Sequence, residues 1–137
     1  MSDLVTRSLL IPAPPADVWD ALTEPSRLAE WFADEVEADA LVPDAPVVFR
    51  WDDGRERHGV VEEVDGPDRL VFRWSGADGL ESQVAFDLVE EAAGTRVTVV
   101  ESGLTRRAAA GRGAAADRSW DPRLRALALF CASAVAA

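Results

Sequence analysis

The hydrophobic and polar positions of this chain follow two periods. Near the C-terminus Trp120, Leu124, Leu127, Cys131 and Ala134 recur at steps of four, three, four and three, which stacks them along one side of an α-helix. The spacing predicts a helix over Ser119–Ala137. Ser119 caps its start, and Pro122 falls in the first turn, where its missing N–H matters little. Leu129, Phe130 and Val135 widen the stripe to more than half the circumference. At about 1.5 Å per residue the helix is roughly 27 Å long, enough to cross a small domain. A helix this apolar needs a sheet to wrap around it.

Upstream the period shortens to two. Residues 4–11 alternate, with Val5, Leu9 and Ile11 opposite Thr6 and Ser8, and predict a first strand that Pro12, Pro14 and Pro15 end. Two short helices follow. Ala16–Leu22 presents Val18, Trp19 and Leu22, with Trp19 read as a packing residue. Ser26–Phe32 is read as starting at a Ser cap after Pro25, with Leu28, Trp31 and Phe32 facing inward. Six more strands are predicted over Glu35–Leu41, Val47–Trp51, Glu56–Val64, Arg69–Trp74, Glu81–Glu90 and Thr95–Glu101. They are separated by short stretches of Gly, Pro and Asp turn chemistry, such as Asp52-Asp53-Gly54 and Ala93-Gly94. Connections this short suit antiparallel neighbours. Parity makes Phe49, Trp51, Leu70, Phe72, Trp74, Val84, Phe86, Leu88, Val97 and Val99 the inward set. Thr105–Asp117, rich in Ala, Arg and Gly, reads as a connector. The expected architecture is α+β: one domain over residues 1–137, with a curved antiparallel sheet of seven strands around the long C-terminal helix and two short helices after the first strand.

The segment Ile11-Pro-Ala-Pro-Pro-Ala-Asp-Val-Trp-Asp-Ala-Leu-Thr-Glu-Pro-Ser-Arg-Leu-Ala-Glu-Trp-Phe32 resembles the opening of the SRPBCC (START-like, helix-grip) superfamily. Within it, the chain is most similar to the branch named for the activator homologue of the Hsp ninety-kilodalton ATPase. Residues Glu62–Trp74, Gly94–Val99 and Glu101–Leu104 are similar to the same branch, and Ser119-Trp120 stands where the branch often has Gly-Trp. The resemblance spans nearly the whole chain and implies the helix-grip fold. Members bind or process many unrelated molecules on that scaffold, so it implies no single activity.

Charge and composition narrow the partners. The net charge is −11, and all 14 basic residues are Arg. Residues 1–105 hold 23 acidic and 8 basic side chains, whereas residues 106–137 hold six Arg and two Asp. A chain this acidic repels a phosphate backbone, so no nucleic-acid partner is expected. No apolar run reaches about 18 residues, so no membrane insertion is expected. The N-terminus has no signal-peptide pattern and Cys131 is the only cysteine, which points to the cytoplasm. Among the tail arginines, Arg106, Arg107, Arg112 and Arg118 are read as a solvated connector rather than a lid for an anionic group.

No phosphate loop, metal-spaced Cys/His set or nucleophile elbow is present, so neither a cofactor nor a metal is expected. The remaining chemistry lies in the aromatics and three polar residues. The candidate ligand-binding set is Trp31, Phe32, Phe49, Trp51, Phe72, Trp74, Phe86, Trp120, Leu124 and Leu127, with His58 and Glu101 as polar members. The rings either line a pocket for a flat or lipid-like molecule or fill the core outright. The START-like resemblance favours the pocket. If Val60 and Val64 face the helix, His58 and Glu62 face it too. With a bulge or the opposite parity, Val61 turns inward and Glu62 and Glu63 stay in water. Glu101 shares parity with Val97 and Val99 and is placed at the cavity mouth. Three functions remain open. The first is a binding module for a hydrophobic small molecule, monomeric or homodimeric. The second is a regulator of a chaperone ATPase, as the family name implies. The third is a cyclase- or hydrolase-like enzyme using His58 or Glu101.

Overall fold

The computed structural model describes residues 4–76, 81–103 and 120–132. The elements are β1 (Val5–Ile11), α1 (Pro15–Thr23), α2 (Pro25–Trp31), β2 (Glu35–Glu37), β3 (Pro46–Arg50), β4 (Glu56–Asp65), β5 (Arg69–Ser75), β6 (Glu81–Glu91) and β7 (Gly94–Ser102). A final helix, α3, runs over residues 120–132. The seven strands form one antiparallel sheet in the order β1-β7-β6-β5-β4-β3-β2. From β2 to β7 each strand pairs with its successor through a short connection. β1 instead lies beside β7, from Val5 opposite Glu101 to Ile11 opposite Thr95. The first two strands therefore occupy opposite edges, and α1 and α2 carry the chain between them. This is the helix-grip arrangement expected from the sequence.

The stripe on α3 faces the sheet in the expected phase. Trp120, Leu124, Leu127 and Cys131 are all buried and join the core formed by the inner sheet face, Val18 and Leu22 of α1, and Leu28 of α2. Leu129 does not belong to the stripe. It is 73% exposed, because it lies two residues past Leu127 and a helix turns such a neighbour away. Ser119, Ala134, Val135 and Thr105–Asp117 lie outside the described residues.

Most boundaries lie within one residue of the sequence reading, and two of the differences have a clear physical reason. The second strand stops at Glu37 instead of Leu41. Its partner β3 begins at Pro46, which has no N–H to extend the ladder. The second short helix begins at Pro25 with Glu24 at the N-cap, so Ser26 lies inside it and is not its cap. Proline's fixed φ suits the first helical position.

The ambiguity on β4 is resolved by a bulge between Val61 and Glu63. Val61 is fully buried and Val60 is 45% exposed. Glu62 and Glu63 both lie in water, where Glu62 meets Arg73 and Gln83, and Glu63 meets Arg69. The alternative with His58 and Glu62 facing the helix is thereby excluded.

Candidate functional site

The parity that buries Val97 and Val99 also buries Glu101, which is only 3% exposed. It is not at a mouth but beneath two indoles. Across the sheet, Glu101 pairs with Val84, and Ser82, two residues along β6, pairs with Trp74 on β5. Trp120 comes from the first turn of described α3. Glu101 Oε2 accepts hydrogen bonds from Trp74 Nε1 (3.0 Å) and Ser82 Oγ (2.5 Å). Its Oε1 accepts from Trp120 Nε1 (2.9 Å), and Trp74 Nε1 also reaches Ser82 Oγ at 3.1 Å. A carboxyl group in an apolar interior is tolerable only with such donors. They tie three strands and the terminal helix to one side chain.

Around this anchor the rings pack against one another. The Phe32 centroid lies 5.0 Å from Phe49, 5.3 Å from Trp31, 5.8 Å from Trp74, 6.0 Å from Trp51 and 6.1 Å from Trp120. Phe86 sits edge-on to Trp120 at 5.7 Å and 6.2 Å from Phe72. The space left among Trp31, Phe32, Phe49, Phe72 and Phe86 and the side chains of Leu22, Leu28, Leu41 and Leu70 is about 10 Å³, at most one water's worth. Among the described residues, the rings at this point of the inner sheet face pack against one another and leave no room for a ligand. Phe32, carried inward just after α2, lies in their midst. The other two indoles act as struts: Trp31 Nε1 donates to the Ala21 carbonyl (2.8 Å) and Trp51 Nε1 to the Phe32 carbonyl (3.0 Å). Leu124 and Leu127 are buried core residues.

At the end of the stack near Trp51 the surface opens into a depression of about 780 Å³, bounded by Trp51, Asp53, Arg55, Glu56, Arg57 and His58 with the glycines between them. Two guanidinium groups, those of Arg55 and Arg57, line it, and a third, that of Arg123, lies against the neighbouring rings. Arg57 shares its strand face with Gly59 and Val61, and its guanidinium carbon lies 4.6 Å from the Trp74 ring. Arg55 lies 5.3 Å from Trp51. Arg123, one turn after Trp120, lies 4.9 Å from Trp120, 5.1 Å from Phe32 and 5.6 Å from both Trp51 and Trp74. Burial, and then the nearby Arg57 charge, lower the Arg123 pKa to about 10. It stays charged at neutral pH. The indole edges of Trp74 and Trp120 thus point to a carboxyl group while their faces meet cations, the polarity that an aromatic quadrupole favours.

His58, a candidate ligand contact that its place beside the Asp52–Arg57 turn also allowed to be a surface residue, takes the surface position. It is exposed, on the outer sheet face, with Nε2 2.7 Å from Glu56 Oε1, and it reaches the depression only at its rim. His58 and Glu101 therefore stand on opposite sides of the sheet and do not form a pair. Arg57, Arg123 and Ser82 were not singled out by sequence reasoning. The β4 parity marks Arg57 only once Val61 is known to face inward. Arg123 falls three residues after Trp120, on the flank of the helical stripe, and that spacing was a usable signal. Burial pushes the Cys131 thiol up to about 11, which keeps it unreactive near neutral pH. Among the described residues no three His, Cys, Asp or Glu side chains converge as a metal site, and no helix is long and apolar enough to cross a membrane.

A family model described as activator of Hsp90 ATPase homolog 1-like protein matches residues 12–130. No curated protein matches the sequence. Among solved structures, DynU16, a protein from the dynemicin biosynthetic locus, superposes with a TM-score of 0.86 at 32% identity. The match covers 95% of this chain and 47% of DynU16, so the chain spans about half of that protein's length. MLL2253 from Mesorhizobium loti matches with a TM-score of 0.85 at 23% identity, covering 93% of this chain and 95% of that one. The Aha1 dimer from Colwellia psychrerythraea matches with a TM-score of 0.79 at 19% identity, covering 90% and 92%. The last two are similar in fold.

Proposed function

We propose that this chain, which belongs to the activator of Hsp90 ATPase homolog 1-like family, is a small-molecule-binding protein. Its ligand sits in the open depression at the β3–β4 end and lays its hydrophobic part against Trp51. The observation that carries this reading is the depression itself, with the Trp51 indole at its side held by a hydrogen bond to the Phe32 carbonyl and in edge contact with the Phe32 ring. A side chain already fixed in place binds without first being ordered. The origin of DynU16 in a biosynthetic locus supports a small organic molecule as the ligand class. The competing reading, regulation of a chaperone ATPase, rests on the family's description.

Native mass spectrometry of freshly purified protein, followed by a panel of apolar ligands, tests the reading. Bound ligands are expected to raise the melting temperature and to change tryptophan emission, since Trp51 borders the site. The same spectra report whether the protein is a monomer or a homodimer. No response to any ligand, together with stimulation of a chaperone ATPase, would replace the binding reading with the regulatory one.

A further inference from the structure

We infer that Arg55 is a latch over the depression and sets its specificity: it lifts from Trp51 to admit a planar aromatic molecule, then closes on that molecule's outer face. This rests on the binding reading above and adds the ligand's class. The Arg55 guanidinium carbon lies over the Trp51 ring, 5.3 Å from its centroid, and both residues line the depression. A flat molecule held between them needs two van der Waals spacings, about 7 Å. No ligand reaches this face of Trp51 until Arg55 moves. Arg123 also meets Trp51, at 5.6 Å, but does so among the rings of Phe32, Trp74 and Trp120.

The turn is built for such a movement. Its backbone is fixed: the Trp51 N–H donates to the Arg55 carbonyl and the Gly54 N–H to the Trp51 carbonyl, each at 3.0 Å, and the Asp52 N–H donates to Asp34 Oδ2 at 2.7 Å. Its side chains are open, Arg55 being 65% exposed and Asp53 55%. Asp53 holds the latch with both oxygens. Oδ1 accepts from the Arg55 backbone N–H at 3.0 Å and Oδ2 from Arg55 Nε at 2.7 Å. Glu56, the other carboxylate lining the depression, is engaged by Arg50 and His58 at 2.7 Å each. Lifting Arg55 gives up one cation–π contact. An aromatic ligand returns it, because its outer face receives the guanidinium while its inner face stacks on the indole. A saturated ligand of the same shape returns nothing. At an exposed site the contact corresponds to about two- to fivefold in affinity, which sets the scale of the discrimination.

The test is calorimetric titration of the full chain at neutral pH with 2-naphthol and its saturated counterpart decahydro-2-naphthol, both uncharged. Naphthol is expected to bind at least about threefold more tightly. In Arg55→Ala, checked for folding by circular dichroism, that preference should shrink about two- to fivefold, chiefly because decahydronaphthol has nothing left to displace and binds more tightly. Equal affinity of the wild type for the two compounds overturns the inference. So does a preference that Arg55→Ala leaves unchanged, whether both affinities stay or both fall together. If neither compound binds while another apolar ligand does, the inference falls alone, and if no ligand binds at all, both readings fall. Should Arg55→Ala not fold, Arg55→Gln carries the same comparison.

Discussion

Glu101 concentrates the local chemistry of this protein. Both carboxyl oxygens are occupied by donors, two indole N–H groups and one hydroxyl, and the two indoles, one on each oxygen, can only donate. In Glu101→Gln one oxygen becomes an NH₂ group that faces a donor. The loss expected is about 1–3 kcal/mol, the desolvation of groups left unmatched, measured by urea unfolding with the slope unchanged. No loss would mean that the indoles do not depend on this acceptor. Legibility at this scale was uneven. That Glu101 pointed inward followed from its parity with Val97 and Val99. Its partners did not, because Trp74, Ser82 and Trp120 meet it only after strands distant in sequence have paired and the helix has docked.

Element by element, backbone contacts decide more than composition. Gly94 opens β7 with φ of 148°, and a Cβ there would stand 2.1 Å from the Ile11 carbonyl oxygen and 2.9 Å from the Pro12 Cα. Both are backbone atoms of β1's end and the turn after it, which Thr95 Oγ1 further ties through the Ala13 carbonyl at 2.7 Å. Gly94→Ala is expected to cost roughly 2–4 kcal/mol through strain and displacement of β1, checked by chemical denaturation. A neutral result would show that β1 does not press on this turn. The sequence identifies Ala93-Gly94 as a turn. It does not reveal that the glycine is needed for the approach of β1. The bulge on β4 has the same character: two alternations of Glu56–Asp65 are possible on paper, and pairing with β5 selects the one that buries Val61 and, with it, directs Arg57 inward.

For the molecule as a whole, the central fact is that rings from distant elements pack on one another beneath the helix among the described residues. Phe32 touches rings from β3, β5 and α3 at once. Phe32→Ala is expected to lose about 3–5 kcal/mol and to leave a dry apolar void. Benzene should then raise the melting temperature of the variant and leave the wild type unchanged. If benzene stabilises the wild type equally, the interior is already open. Where the described rings pack on one another there is no room for a ligand, so the binding site proposed above lies at the depression beside Trp51.

What the sequence determined by itself was periodic. Steps of three and four fixed the face of α3, steps of two fixed the inner rows of most strands, and Gly, Pro and Asp fixed the turns, because each of these depends on residues within a few positions of one another. The seven strands and their grip on the last helix were legible for the same reason. Tertiary structure alone decided three things: how closely the described rings pack, which face of β4 was inner, and that Arg57 and Arg123 both lie against the Trp74 ring. Volume and charge convergence are sums over residues far apart in the chain, and no local pattern carries them.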